Sequence, residues 1–331
     1  MTDLDAKPDT LLQVRNLKKQ FAPHGSMLTG RGGKIRAVDG ISLTVGAGET
    51  LGLVGESGSG KSTLGRALLQ LDPPTSGSVR FRGTELVGLS ERKMRPYRRH
   101  MQMIFQDPYA SLNPRMTIEQ IVSEPLIVHR LAKTAEDRRK RVAELLDIVH
   151  LPNSAMKRYP REFSGGQRQR VGIARALAVQ PDLIVADEAV SALDVSIQAQ
   201  IVNLFAELRA QFNIALIFIA HDLAVVRQIA DRVAVMYLGK LMETADCDQL
   251  YREPLHPYTR ALIDAAPIPD PVVEAARQRT VLGGEVPSPS APPPGCVFHT
   301  RCAIAVDGCR RDVPALRELR PGHAVACTEV G

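Results

Sequence analysis

Tryptophan is absent from the 331 residues, and aromatic side chains make up only 4% of them. Aliphatic side chains must therefore supply most of the core, which a 44% hydrophobic composition allows. No apolar run approaches the roughly 18 residues that a spanning helix needs. The longest, Ile214 to Ala220, is strand-sized. Met1 to Thr10 is polar and lacks the marks of a secretory signal. The expectation is a soluble or peripheral chain, with any membrane passage left to another polypeptide. Five cysteines without such a signal argue against a disulfide framework. The two-residue Cys spacing of zinc ribbons is missing, and so is any internal repeat. The length suits one large domain or two. A formal charge of +6 allows an anionic partner or a dispersed basic surface.

What is present centres on Gly55-Glu56-Ser57-Gly58-Ser59-Gly60-Lys61-Ser62-Thr63. This stretch fits the phosphate-loop pattern of glycine, four residues, glycine, lysine and a hydroxyl residue. Thr50 to Val54 before it reads as a buried strand, and Leu64 to Leu71 after it as a helix. Glycines let the backbone turn and aim its N–H groups inward, and the helix N-terminus extends that anion cradle. In such a loop Lys61 reaches the β- and γ-phosphates and the Ser62 hydroxyl holds Mg²⁺.

Around the loop, Leu11 to Val14 and Ala37 to Val45 read as strands, with Phe21 closing the first and a Gly-rich basic loop, Ala22 to Arg36, expected to be mobile between them. Val79 to Arg82 is another short strand, and Met103 to Phe105 a brief apolar run ending at Gln106. Thr117 to Tyr159 turns helical, with Thr134 and Asp137 as a cap. Ser164 to Val179 reads as an Arg-rich helix, and Val195 to Phe212 as one with Ile197, Ile201, Leu204 and Leu208 on its apolar stripe. Leu183 to Ala186 and Ile214 to Ala220 read as strands buried on both faces. Alternating strand and helix implies a parallel sheet, whose strand ends gather ligands on one edge. Beyond Gly239 the chain is proline-broken and is expected to be irregular, with a short helix at Val272 to Thr280.

Asp187-Glu188 follows one such strand. An Asp there can hold Mg²⁺, and the Glu can polarise an attacking water. Gln106 can bond that water or Mg²⁺, and His221, at another strand end, can stabilise charge on the γ-phosphate. Ser164-Gly165-Gly166-Gln167 satisfies the capping-box pattern and, by the same physics, forms a second anion cradle. Two cradles for one nucleotide suggest a head-to-tail pair of chains.

These residues, with Ser191-Ala192-Leu193-Asp194, occur in the order and spacing of the ATP-binding cassette (ABC) family, and residues 11–245 resemble it closely. The resemblance implies an α/β P-loop NTPase cassette: a RecA-like parallel-sheet core, an antiparallel β subdomain and an inserted helical subdomain at about 112–163. It implies ATP hydrolysis between two cassettes, Asp194 in the loop that links their sites, and Phe21 stacking on adenine where the family more often has Tyr. Ala189 stands where a proline often follows the catalytic Glu.

Phe105 to Pro114 and His256 to Leu262 resemble the ATPase subunits of oligopeptide, dipeptide and nickel importers, and the Gly-rich insertion resembles the second of their two ATPases. That implies a second ATPase subunit as partner, two membrane permeases, an extracytoplasmic binding protein, no nucleic acid, and a peripheral place on the cytoplasmic face of the membrane. It also implies docking on the permeases near Gln106 to Asn113. Cys296, Cys302, Cys309 and Cys327 lie in the extension 246–331, separated by five, six and seventeen residues. Spacing alone leaves an iron–sulfur cluster, zinc and no metal open. The resemblance implies a [4Fe–4S] cluster; Cys247 has no partner in the pattern and reads as an ordinary buried or surface thiol.

Overall fold

A computed structural model describes residues 10–22, 34–265 and 282–331. Most of the basic loop and the expected helix at 272–280 fall outside the described residues. The described residues divide into two compact units: those within 1–46, 50–88 and 220–331 form one, and those within 47–49 and 89–219 the other.

The first unit begins with β1 (Thr10–Phe21) and β2 (Ile35–Gly46), which pair antiparallel. Both outrun the sequence expectation, because backbone pairing carries the ladder past the apolar residues that marked it. Next come β3 (Thr50–Val54), α1 (Lys61–Leu68), β4 (Ser76–Phe81) and β5 (Thr84–Glu85). The antiparallel sheet runs β2-β1-β4-β5.

The second unit follows with α2 (Glu91–Arg98), β6 (Met101–Ile104), α3 (Pro108–Ser111), α4 (Ile118–Val128), α5 (Ala135–Ile148) and α6 (Gly165–Leu177). It closes with β7 (Leu183–Asp187), α7 (Val195–Phe212) and β8 (Ala215–Ala220). Strands β6, β7 and β8 pair parallel. Every residue of β7 and β8 is buried, as their unbroken apolar runs require. Of the expected stripe, helix α7 buries Ile201, Leu204 and Leu208, with Val202 and Phe205 beside them, whereas Ile197 in its first turn is only half-buried. It stops at Asn213, whose φ of 52° is left-handed. Residues 47–49 join this unit because Arg209 Nε donates to the Gly48 carbonyl at 2.7 Å and Leu216 N to the Glu49 carbonyl at 2.8 Å. Thr134 and Asp137 form the expected reciprocal cap on α5.

The chain then returns to the first unit with α8 (Leu223–Val226), β9 (Arg232–Tyr237), β10 (Lys240–Asp246), α9 (Cys247–Arg252), α10 (Pro257–Ala265), β11 (Arg317–Arg320) and β12 (His323–Val325). Strand β3 lies parallel to β9, and β9, β10, β12 and β11 follow as antiparallel neighbours. The stretch beyond Gly239 is thus more regular than its prolines suggest. Its two last strands extend the sheet that carries the phosphate loop. A buried hub holds them there. The Glu243 carboxylate accepts from the backbone N–H groups of Leu255 at 2.7 Å and His256 at 2.9 Å, and lies 2.6 Å from His323 Nε2. Glu243 and His323 are both fully buried, so the carboxylate is satisfied by two backbone donors and the ring, and His323 Nε2 by the carboxylate.

Candidate functional site

In the first unit, β3 ends at Val54 and the phosphate loop turns at once into α1. Steric necessity shapes the turn. Gly55 has a φ of 152°, and a Cβ there would come 2.1 Å from the Met236 carbonyl oxygen. Gly60, the N-cap of α1, has a φ of 102°, and a Cβ there would come 2.0 Å from the Ala37 carbonyl oxygen. Neighbouring backbone therefore approaches too closely for any side chain at either position. Lys61 is only 4% exposed. Its ammonium donates to the carbonyls of Gly55 at 2.7 Å and Glu56 at 2.9 Å and reaches Ser59 Oγ at 3.5 Å. A buried lysine so placed is a cation held inside an anion cradle.

Glu56 is fixed from a direction the sequence did not disclose. Its N–H donates to Tyr258 Oη at 2.8 Å. Its carboxylate receives both arms of Arg301, at 2.6 and 3.2 Å. Those bonds push the Arg301 pKa further above its already high value. Burial, first of all, raises the phenols of Tyr237 and Tyr258. Phe21 ends β1 at 37% exposure, with the Lys19 ammonium 5.0 Å from its ring centroid. His221 is exposed, and its neighbour Asp222 caps α8 by accepting from Ala224 N at 2.7 Å.

In the second unit, parallel pairing sets the ends of β6 and β7 side by side. Gln106 and Glu188, each just past such an end, meet: Gln106 Nε2 donates to Glu188 Oε2 at 2.7 Å. Asp187 closes β7 at 6% exposure. The Glu188 backbone is left-handed, with a φ of 44°. Its N–H donates to the Ile219 carbonyl at 3.0 Å, and its carbonyl accepts from Ser191 Oγ at 2.9 Å. Ser164 caps α6 in the expected reciprocal box: Gln167 N donates to Ser164 Oγ at 3.3 Å and Ser164 N to Gln167 Oε1 at 3.0 Å. Gly166 is buried, and a Cβ there would meet Ile197 Cγ2 at 2.5 Å. Asp194 occupies the N-cap position of α7 without a side-chain cap bond.

All four tail cysteines, and Cys247, are reduced. Burial raises the thiols of Cys296 and Cys302, and the neighbouring thiols add to it. Among the described residues no three His, Cys, Asp or Glu side chains are arranged to hold an ion. The arrangement of these side chains therefore gives no support to the expected [4Fe–4S] cluster or to the zinc alternative. Among the described residues, Cys296 N donates to the Cys309 carbonyl at 2.8 Å. Cys247 is buried, and burial pushes its thiol up to about 11. Among the described residues no helix is long and apolar enough to cross a membrane.

Comparison with known proteins agrees with this arrangement. Residues 38–191 match the ABC transporter family, and residues 242–309 match the oligopeptide/dipeptide transporter C-terminal region. The chain is 52% identical to the oligopeptide transport ATP-binding protein AppF of Bacillus subtilis, over 97% of this chain and 98% of that one. It is 53% identical to a putative peptide import ATP-binding protein of Brucella ovis, over 96% and 97%. The ATP-binding cassette MJ0796, solved as a dimer in a post-hydrolysis state bound to ADP and Pi, superposes with a TM-score of 0.64 at 31% identity, over 71% of this chain and 98% of that one. The chain belongs to the ABC transporter family, as an ATPase with an oligopeptide/dipeptide-type C-terminal region.

Proposed function

We propose that this chain hydrolyses ATP to drive import of dipeptides or oligopeptides. The observation that carries the chemistry is Lys61, buried within a glycine loop that backbone approach keeps free of side chains at Gly55 and Gly60. In this reading residues 11–245 are the nucleotide-binding cassette, with 112–163 as its helical insertion, and 246–331 are the extension. Gly55 to Thr63 bind the phosphates, Phe21 stacks on the base, and His221 faces the γ-phosphate. Glu188 is the general base, held by Gln106. Ser62, Asp187 and Gln106 offer the hard oxygen donors that suit Mg²⁺. When bound, that ion neutralises charge on the β- and γ-phosphates. Ser164 to Gln167 serve the nucleotide of a facing cassette, and Asp194 links the two sites.

The peptide cargo is supported by what the relatives' names state and by the matched C-terminal region. The partners we infer are a second ATPase subunit, two permeases and an extracytoplasmic binding protein, with this chain peripheral on the cytoplasmic face. A further cofactor reading, a [4Fe–4S] cluster on Cys296, Cys302, Cys309 and Cys327, rests on the sequence resemblance alone. About four irons per anaerobically purified chain would support it.

The test pairs binding with uptake. The chain should bind a fluorescent ATP analogue, and Lys61→Ala should lose that binding. Co-expressed with its neighbouring permeases and binding protein, it should drive ATP-dependent uptake of a labelled dipeptide. Uptake of nickel or glutathione instead would reassign the cargo. ATP turnover responding to nucleic acid and not to permeases would overturn the importer reading.

A further inference from the structure

Glu56 poses a problem of charge. It is an acid within a loop that receives polyanionic phosphate. Its carboxylate is not left to solvent. Arg301, 245 residues away, meets it with the planar two-armed geometry in which a guanidinium matches a carboxylate best. The Arg301 side chain is only 6% exposed and that of Glu56 27%, so the pair is partly shielded from solvent. Its remaining donors are anchored as well: Nε donates to the Gly283 carbonyl at 3.3 Å, and one terminal nitrogen reaches Tyr237 Oη at 3.5 Å. Tyr237, Tyr258 and Phe298 pack beside it with ring centroids 4.8 to 5.3 Å apart.

The rest of Glu56 is equally committed. Its N–H goes to Tyr258, and its carbonyl accepts from Lys61 Nζ at 2.9 Å and from Ser59 N at 3.2 Å. Lys61, the phosphate-binding cation, is therefore one residue removed from two side chains of the C-terminal extension. A distant segment grips the loop at its acid and at its backbone.

We propose that Arg301 is a positioning residue for the phosphate loop: it neutralises Glu56 and, with Tyr258, holds the loop in the form that accepts a nucleoside triphosphate. This rests on the ATP reading above. The chemistry is specific. Without Arg301, Glu56 becomes an unpaired anion beside the incoming phosphates and a free acceptor for the Lys61 ammonium. Either effect weakens nucleotide binding without touching the residue that activates water.

The rival reading is a plain staple, in which Arg301 only ties the extension down. Charge separates the two. Arg301→Ala should weaken binding of a fluorescent ATP analogue to the full-length chain by roughly tenfold, about 1.4 kcal/mol. Turnover at saturating ATP should stay within about twofold. Adding Glu56→Gln to that variant should bring binding back to within about twofold of the wild type, because the stranded charge is gone. Arg301→Lys, which keeps the charge and loses the fork, should fall between. If R301A binds as the wild type does, or if R301A/E56Q stays as weak as R301A, the proposal is overturned. Should R301A fail to fold, R301Q and R301K carry the same comparison: weaker binding in R301Q than in R301K supports the proposal, and equal binding overturns it. The ATP reading fails separately, on absent binding by the wild type or on full binding by Lys61→Ala.

Discussion

The Gln106 side chain donates to the Glu188 carboxylate at 2.7 Å across 82 residues of sequence. Each residue sits just past the end of a strand, and those strands are parallel neighbours, so the sheet itself delivers them to one place. Glu188 is further set apart by its left-handed backbone. A non-glycine residue held that way costs about 1 kcal/mol or more, and the bonds to Ile219 and Ser191 maintain it.

Glu188→Gln leaves that backbone and its bonds in place and removes only the basic oxygen. It should lower steady-state phosphate release by at least about a hundredfold, with ATP binding within about threefold of the wild type. Gln106→Ala should lower kcat by roughly tenfold, since the carboxylate loses its orienting donor. Normal turnover by E188Q in a phosphate-release assay would place the base elsewhere.

The loop glycines should not be equivalent. Gly60→Ala drives a Cβ toward the Ala37 carbonyl oxygen at 2.0 Å, in a strand that cannot yield without losing its pairing with β1. Gly58, with a φ of 78°, has no atom within 4 Å of the same position. Its alanine variant carries only the left-handed penalty, about 1 kcal/mol. Thermal unfolding should show a midpoint for G60A several degrees below that of G58A. Equal midpoints would mean that the neighbouring backbone does not confine the loop.

The sequence alone disclosed the phosphate loop, the two buried strands and the α6 cap, because each is a local pattern with a local cause. It placed Gln106 and Glu188 at strand ends, and parallel pairing then brought them together. It did not disclose the mounting of Glu56. His256 to Leu262 stood out only as a family-like run, and nothing near Arg301 marks it as a partner for a residue at position 56. Contacts between distant segments leave no period or spacing to find. The regularity of the tail was hidden for a similar reason. Prolines argue against local structure, whereas β11 and β12 form by adding to a sheet edge and by seating His323 on Glu243.

His256 gives the chain a pH dependence. Burial pushes its imidazole down to about 4 from an ordinary 6.5. The neutral ring is also needed where it stands, since Nδ1 accepts from Tyr258 N at 3.0 Å. Between those two values the unfolded chain binds more protons than the folded one. The contribution is therefore intact above about pH 6.5 and is lost as pH falls toward 4. From pH 7 to pH 5 the loss amounts to about 2 kcal/mol. Urea midpoints should drop accordingly in the wild type. They should drop less in His256→Asn, whose amide oxygen can still accept from Tyr258. Parallel pH profiles for the two proteins would remove His256 as the cause.

Tyr109 offers the clearest point at which to separate hydrolysis from transport. It is 65% exposed, yet one face of its ring rests on the Arg168 guanidinium, 3.8 Å from the centroid. Arg168 cannot drift, because Nε donates to the Pro160 carbonyl at 2.6 Å and a terminal nitrogen to the Arg161 carbonyl at 3.3 Å. An exposed ring held rigid on one side suits an anchor for a partner loop, since little side-chain entropy remains to be lost on docking. Tyr109→Ala should leave ATP turnover by the isolated chain within about twofold of the wild type. In the assembled importer it should cut labelled-peptide uptake by roughly tenfold and lower the amount of this chain recovered with the permeases. Full uptake and recovery in the variant would move the docking surface away from Gln106 to Asn113.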